Sequence, residues 1–183
     1  EQSLANAPPG RVRLVCSPHH QDTPLHPIIR QIKRAAGFQN DDGHVAQREK
    51  LRRLLGRSAP DLHVALLADL ISIPGAGEEL PETLTPRHRK EMTFAAILGH
   101  VGSFARRNPV LAVVEDIHWA DPTTCELLET QVASIERLPI LLIVTTRPEV
   151  RPPWITRPQV TIQMLGGLHQ RQAVSVINEI VGE

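Results

Sequence analysis

Rings are scarce in this chain: aromatic residues make up 3% of its 183 residues, with no Tyr, three Phe and two Trp. An RNA-reading sheet or a base-stacking groove uses more rings than that. Lysine is nearly as rare. Lys33, Lys50 and Lys90 are the only ones, although Lys and Arg together number 20. Excess charge of one sign is absent, because 20 acidic residues bring the formal net charge to +0. That balance argues against a polybasic nucleic-acid or membrane-surface protein. The 9 histidines add charge only in acid. Two cysteines, Cys16 and Cys125, make neither a disulfide framework nor a four-thiolate zinc site. A reducing, cytoplasmic setting is expected. No run of about 18 apolar residues is available to span a membrane, and no signal-peptide pattern opens the chain. There is no Gly-x-Ser-x-Gly elbow for a hydrolase and no repeat at a fixed period.

What is present fits one globular domain. Hydrophobic residues reach 41% and charged residues 22%, enough to build a core. Residues 1–10 read as a linker ending in Ala-Pro-Pro-Gly. Arg11 to Cys16 alternates and reads as a short strand. Helices are expected over Pro27 to Ala36, over Val45 to Leu55 with Asp41 and Asp42 as caps, and over Ala59 to Ile73. A longer helix opens at Thr85-Pro86 with Met92, Ala95, Leu98, Val101 and Ala105 on one stripe. The runs Val110 to Val114 (VLAVV) and Ile140 to Thr145 (ILLIVT) are continuously apolar, as strands buried on both faces are in parallel sheets. Between them Asp121-Pro122 opens a helix with Cys125, Leu128, Val132 and Ile135 on one face. A last strand, Val160 to Leu165 (VTIQML), and a last helix, His169 to Val181, complete the pattern. Strands alternating with helices predict an α/β sandwich with a mostly parallel sheet.

In such sheets ligands bind at the carboxyl ends of the strands. VLAVV runs directly into Glu115-Asp116-Ile117-His118-Trp119-Ala120-Asp121-Pro122. Two adjacent carboxylates there can hold Mg²⁺ and orient a water beside a nucleotide phosphate. ILLIVT runs into Thr146 and Arg147, and an Arg in that place can sense phosphate oxygens. The plain alternatives are that Glu115 and Asp116 are solvated acids leaving a strand, and that Asp121 is a helix N-cap. Cys16, His19, His20, Asp22 and His26 cluster, but without a recognised zinc spacing, and read as polar loop residues. Arg52-Arg53 and Arg106-Arg107 read as solvated helix faces.

The segments EDIHWADPTTCELLE and LPILLIVTTRPEVRPPW resemble the ATPase domain of signal-transducing P-loop ATPases with numerous domains, a branch of the AAA+ class. More narrowly, they resemble the module that bacteria fuse to adenylate or guanylate cyclases and to regulators. RLVCSPHHQDTPLHPIIRQIKRAAGF is similar to the second-strand region of that module, and LTPRHRKEMTFAAIL to the approach to its acidic strand. The resemblance covers residues 11–183. It implies a P-loop NTPase-like three-layer sandwich that binds ATP and Mg²⁺ and acts as a switch on a fused or neighbouring effector domain, such as a cyclase, a DNA-binding domain or a helical repeat. No direct nucleic-acid or membrane contact is implied for this region. Glu115 and Asp116 take the place of the Walker B acids, with the division of roles between them open. Arg147, next to Thr146, takes that of the sensor arginine. His118, Trp119 and Asp121 match the tail of the acidic motif.

A phosphate-binding loop reads GxxxxGK[ST]. None of Lys33, Lys50 and Lys90 follows a Gly, so that loop and its strand are absent from this sequence. In the resembled family they lie upstream of RVRLVC, and the strand is central, beside the one that ends in TTR. The chain is therefore expected to be the C-terminal part of such a domain, a fragment or the product of a truncated gene. It is expected to fold poorly or aggregate alone and not to hydrolyse ATP by itself. The alternative is a non-catalytic interaction module, a remnant that scaffolds a partner.

Overall fold

The computed structural model describes residues 10–167, 174–175 and 178–180. They fall into two compact units that part between Pro152 and Pro153. The first unit is α/β. In chain order it contains β1 (Gly10–Val15), α1 (His26–Ala35), α2 (His44–Leu55), α3 (Asp61–Leu70), α4 (Pro86–Ala105), β2 (Val110–Glu115), α5 (Pro122–Ser134) and β3 (Ile140–Val144). The strands form a three-stranded sheet in the order β1-β2-β3. Both pairings are parallel, with Leu14 opposite Val114 and Val114 opposite Val144.

The strand order determines where the helices lie. Parallel neighbours are joined by right-handed crossovers. Two such crossovers stepping in the same direction place both helical connections over one face. The side chains record this. On the covered face Leu14, Val110 and Val114 are buried. On the opposite face Arg11, Arg13 and Val15 of β1 are exposed, and on β3 Leu141 and Ile143 remain 62% and 43% exposed. The two apolar runs predicted strands buried on both faces; for β3 that is corrected. Its second face is open because no crossover of these residues reaches that side. Among the described residues β3 is also paired on one edge alone.

The helices build the other half of the core. α3 packs on α2 and α4, and α1 packs on β1 and α5. Leu51, Leu66, Leu67 and Val114 are almost wholly enclosed, each contributing about 2 kcal/mol of apolar burial. Thr85 caps α4 by accepting from the His88 amide, with Pro86 as first residue. Asp121 does the same for α5 through the Thr124 amide.

Other expectations need correction. α2 begins at His44 behind Gly43. Asp42 is not its cap; its carboxylate pairs with Lys50 at 2.6 Å and accepts from the Gln39 amide. The inner face of α4 is Thr93, Phe94, Ala96, Ile97, Gly102 and Ala105, and Ala95 points outward. In α5 Thr124 and Leu127 join Leu128 and Val132 inside, while Cys125 and Ile135 stay half-buried. In the second unit residues 160–165 form no strand. VTIQML has the alternation of one but no ladder partner, and Ile162, Met164 and Leu165 are exposed. Of the expected last helix, 174–175 and 178–180 are helical and the remainder lies outside the described residues, as do residues 1–9 of the expected linker. No helix among the described residues is long and apolar enough to cross a membrane.

Candidate functional site

The carboxyl ends of β2 and β3 are stitched together by Thr145. Its amide donates to the Val114 carbonyl at 2.9 Å, its carbonyl accepts from the Ile117 amide at 3.0 Å, and its hydroxyl accepts from the Asp116 amide at 3.0 Å. Asp116 is thereby held in the left-handed region, at φ 56° and ψ 47°. Asp tolerates that conformation better than most side chains, but a non-glycine residue there carries a conformational cost, and such costs concentrate at functional sites. The bend ends β2 and starts a single 3₁₀ turn, Ile117–Trp119.

That turn brings two of the expected residues together. The Arg147 guanidinium carbon lies 5.3 Å from the centre of the Trp119 ring, within cation–π range. His118 lies against the same indole, with ring centres 4.9 Å apart and planes 48° apart, and its Nδ1 is buried without a hydrogen-bond partner. Thr146 is exposed between Thr145 and Arg147. Asp116, His118, Trp119, Thr146 and Arg147 thus belong to one group at the β2–β3 end.

Glu115 and Asp121 are engaged elsewhere. Glu115 is the last residue of β2 and lies on the open face of the sheet. Its two oxygens accept from Arg13 Nε at 2.9 Å and Nη2 at 2.8 Å. This bidentate pair is the stronger form of a charged hydrogen bond, and Arg13 holds the Glu115 carboxyl below its usual range. Asp121 is 3% exposed. Its carboxylate accepts from the Thr124 amide at 2.9 Å, from the Thr124 hydroxyl, and from the Leu25 amide at 3.2 Å. It is a helix cap that also pins the loop after β1, where Leu25 itself has φ 57°. Cys16, next to that loop, is pushed up to about 11, first by burial and then by Cys125, Asp121 and Asp116. It is a core thiol rather than a nucleophile.

Sequence reasoning missed Arg13, and it placed Thr145 at the strand end without a role. Arg13 and Glu115 sit two residues apart in register on adjacent parallel strands, with Val15 opposite Glu115, and the same parity puts both on one face. Parity was available from the sequence, but the β1-β2 pairing was not.

The donors suit a hard cation: carboxylates and hydroxyls are the ligands that Mg²⁺ prefers. Among the described residues no group of three or more His, Cys, Asp or Glu side chains is close enough to hold a metal by itself. A cation here would share its shell with oxygens of another molecule, as Mg²⁺ does when it bridges carboxylates and phosphates.

The fold and the site together define a parallel α/β protein with acid, hydroxyl and arginine groups gathered at two strand ends. Comparison with known proteins leaves the chemistry to be argued from that geometry. No known protein-family profile matches the chain, and no solved structure matches it. An uncharacterized protein of Rhizobium meliloti (strain 1021) is 28% identical over 143 residues, which cover 76% of this chain. The aligned part is 14% of that relative's length.

Proposed function

We propose that this chain is the acid-and-sensor part of an ATP-binding regulatory switch of the P-loop NTPase-like, signal-transducing AAA+ type. The single observation that carries the reading is the grouping of Asp116, Thr145, Thr146, Arg147 and Trp119 at the carboxyl ends of two parallel strands, beside the edge of β3 that is unpaired among the described residues. Nucleotide sites in open parallel sheets lie at such ends. Mg²⁺ with ATP would be held by the Asp116 and Glu115 side, which carries negative charge to the metal, and by Arg147, which meets the terminal phosphate oxygens. When bound, the metal would neutralise phosphate charge, while Glu115 and Asp116 would orient water and Arg147 would register the phosphate. The phosphate-gripping lysine would come from a GxxxxGK[ST] segment outside these 183 residues, whose strand fits the open edge of β3. Nucleotide state would then bias a neighbouring effector domain, such as a cyclase, a DNA-binding domain or a helical repeat.

The test uses a polypeptide extended upstream through such a segment. ATP binding that depends on Mg²⁺ is expected, and Asp116→Asn should weaken it by about tenfold or more. An unchanged Mg²⁺ dependence in that variant refutes the assignment. The exposed apolar face of Val15, Leu141 and Ile143 favours a second reading, a non-catalytic interaction module. It is the reading to adopt if the few dozen residues upstream contain no GxxxxGK[ST].

A further inference from the structure

The two adjacent acids at the end of β2 are held in different ways. Glu115 gives both carboxylate oxygens to Arg13 of β1. The Asp116 amide is bonded to Thr145, on the β3 side, where Arg147 also lies. The backbone underlies this difference. Arg13 and Glu115 are diagonal neighbours on one face of a parallel pair, and Asp116 departs from strand geometry into the left-handed region. Glu115 is thus held to β1 by its side chain, whereas Asp116 is held to Thr145 through its backbone amide.

Resting on the switch reading above, we infer that Arg13 is a positioning residue of the site: it holds Glu115 toward β1, so that the metal-bearing ligand meets Asp116 first and Glu115 joins only when Arg13 lets go. Both oxygens of Glu115 are occupied by the fork of one guanidinium, and a carboxylate bound in that way has its best lone pairs already in use. The pair is accessible, with side-chain exposures of 65% for Arg13 and 28% for Glu115, so it can exchange partners without unpacking the core. A surface pair of this kind contributes little to stability. Its consequence lies in the competition between Arg13 and the cation for one carboxylate.

The experiment is a double-mutant cycle on the full-length polypeptide, reading binding of a fluorescent ATP analogue, mant-ATP, against Mg²⁺ concentration. Arg13→Ala is expected to lower the Mg²⁺ concentration for half-maximal binding by roughly threefold to tenfold, because Glu115 is released to the metal. Arg13→Lys, which keeps the charge and loses the fork, should fall between it and the parent. In a Glu115→Gln background Arg13→Ala should have no further effect. A general charge effect of Arg13 on the cation would persist with Glu115 amidated. Additive effects of the two substitutions, or an Arg13→Ala change in the opposite direction, therefore overturn the role of Arg13 and leave the switch reading standing. Absence of any Mg²⁺-dependent binding by the parent overturns the switch reading and this role with it.

Discussion

Asp121 shows how a residue that reads as chemistry in the sequence acts as a clamp in the structure. Its carboxylate is buried, and each donor around it is a group that would otherwise be unsatisfied: the Thr124 amide at a helix start, the Thr124 hydroxyl and the Leu25 amide. Removing a cap costs about 1 kcal/mol, and orphaning a buried amide costs about 1–3 kcal/mol more. Asp121→Ala should therefore destabilise by about 2–4 kcal/mol in urea unfolding, and Asp121→Asn, which keeps an acceptor, by clearly less. A loss under about 0.5 kcal/mol for the alanine variant would show that the clamp is incidental. The stacked pair next to it carries a second prediction. His20 and His26 lie face to face with centres 3.6 Å apart and planes 18° apart. Burial, then His20 and Arg30, hold His26 below its ordinary 6.5, with Asp121 pulling the other way. A histidine lowered by folding binds its proton more readily unfolded. Its contribution is complete above 6.5 and is lost as pH falls from there through the folded value. His100 has the same sign, from burial and Arg107. The carboxyl groups of Asp42, Glu91 and Glu115, all lowered, lose their contribution at more acidic pH, below their ordinary values near 4. The midpoint of thermal unfolding should therefore fall between about pH 7 and pH 5, and His20→Ala, which removes the opposing charge, should flatten that fall. An unaltered slope in the variant rules out the stacked pair as its source.

At the scale of elements, β3 is where pattern and structure part. ILLIVT reads as a strand with two buried faces. The helical connections cover one face, and Leu141 and Ile143 stand open on the other. An apolar face beside an unpaired strand edge is a template for self-association. The 183-residue chain should therefore self-associate at micromolar concentration. Leu141→Lys with Ile143→Lys should reduce that association, read as the concentration dependence of light scattering, without disturbing the buried face. A strictly monomeric parent chain would contradict this. The same element shows what the sequence makes legible. β2 and β3 could be placed because uninterrupted apolar runs have few other uses, and α4 and α5 could be placed because Thr85-Pro86 and Asp121-Pro122 carry their caps in the sequence. The start of α2 was misread because Asp41 and Asp42 are good caps in isolation, and Asp42 is held by Lys50 and the Gln39 amide instead. VTIQML was misread because alternation makes a strand only where an edge is offered. Within the site, Glu115, Asp116 and Arg147 were visible as strand-end residues. Arg13 was invisible because its partner is fixed by which strands are neighbours, a property of the whole sheet.

For the molecule as a whole, the decisive matter is what lies on the far side of β3. In a parallel strand the amide and carbonyl of one residue point the same way, and consecutive residues alternate. Thr145 turns its amide and its carbonyl toward β2. Leu142 and Val144, of the opposite parity to Thr145, therefore direct theirs away from β2, to the side where no strand lies among the described residues. If this edge stays bare, those two amides are bonded to water and exchange with solvent hydrogen quickly, while Leu141 and Ile143, turned toward β2, are protected. If an upstream strand carrying GxxxxGK[ST] completes the sheet, it adds a ladder along this edge, and a helix following it can cover Leu141 and Ile143. Amide hydrogen exchange distinguishes the two at single residues. In the 183-residue chain Leu142 and Val144 should exchange much faster than Leu141 and Ile143. In the extended polypeptide the contrast should vanish, because all four become interior to one sheet and open only with the larger unit. The closing of that contrast should coincide with Mg²⁺-dependent ATP binding, since one added strand would supply both the ladder and the phosphate-binding loop. Protection that appears without binding would instead favour an interaction module, in which the edge of β3 recruits a strand but the acids at its end serve no nucleotide.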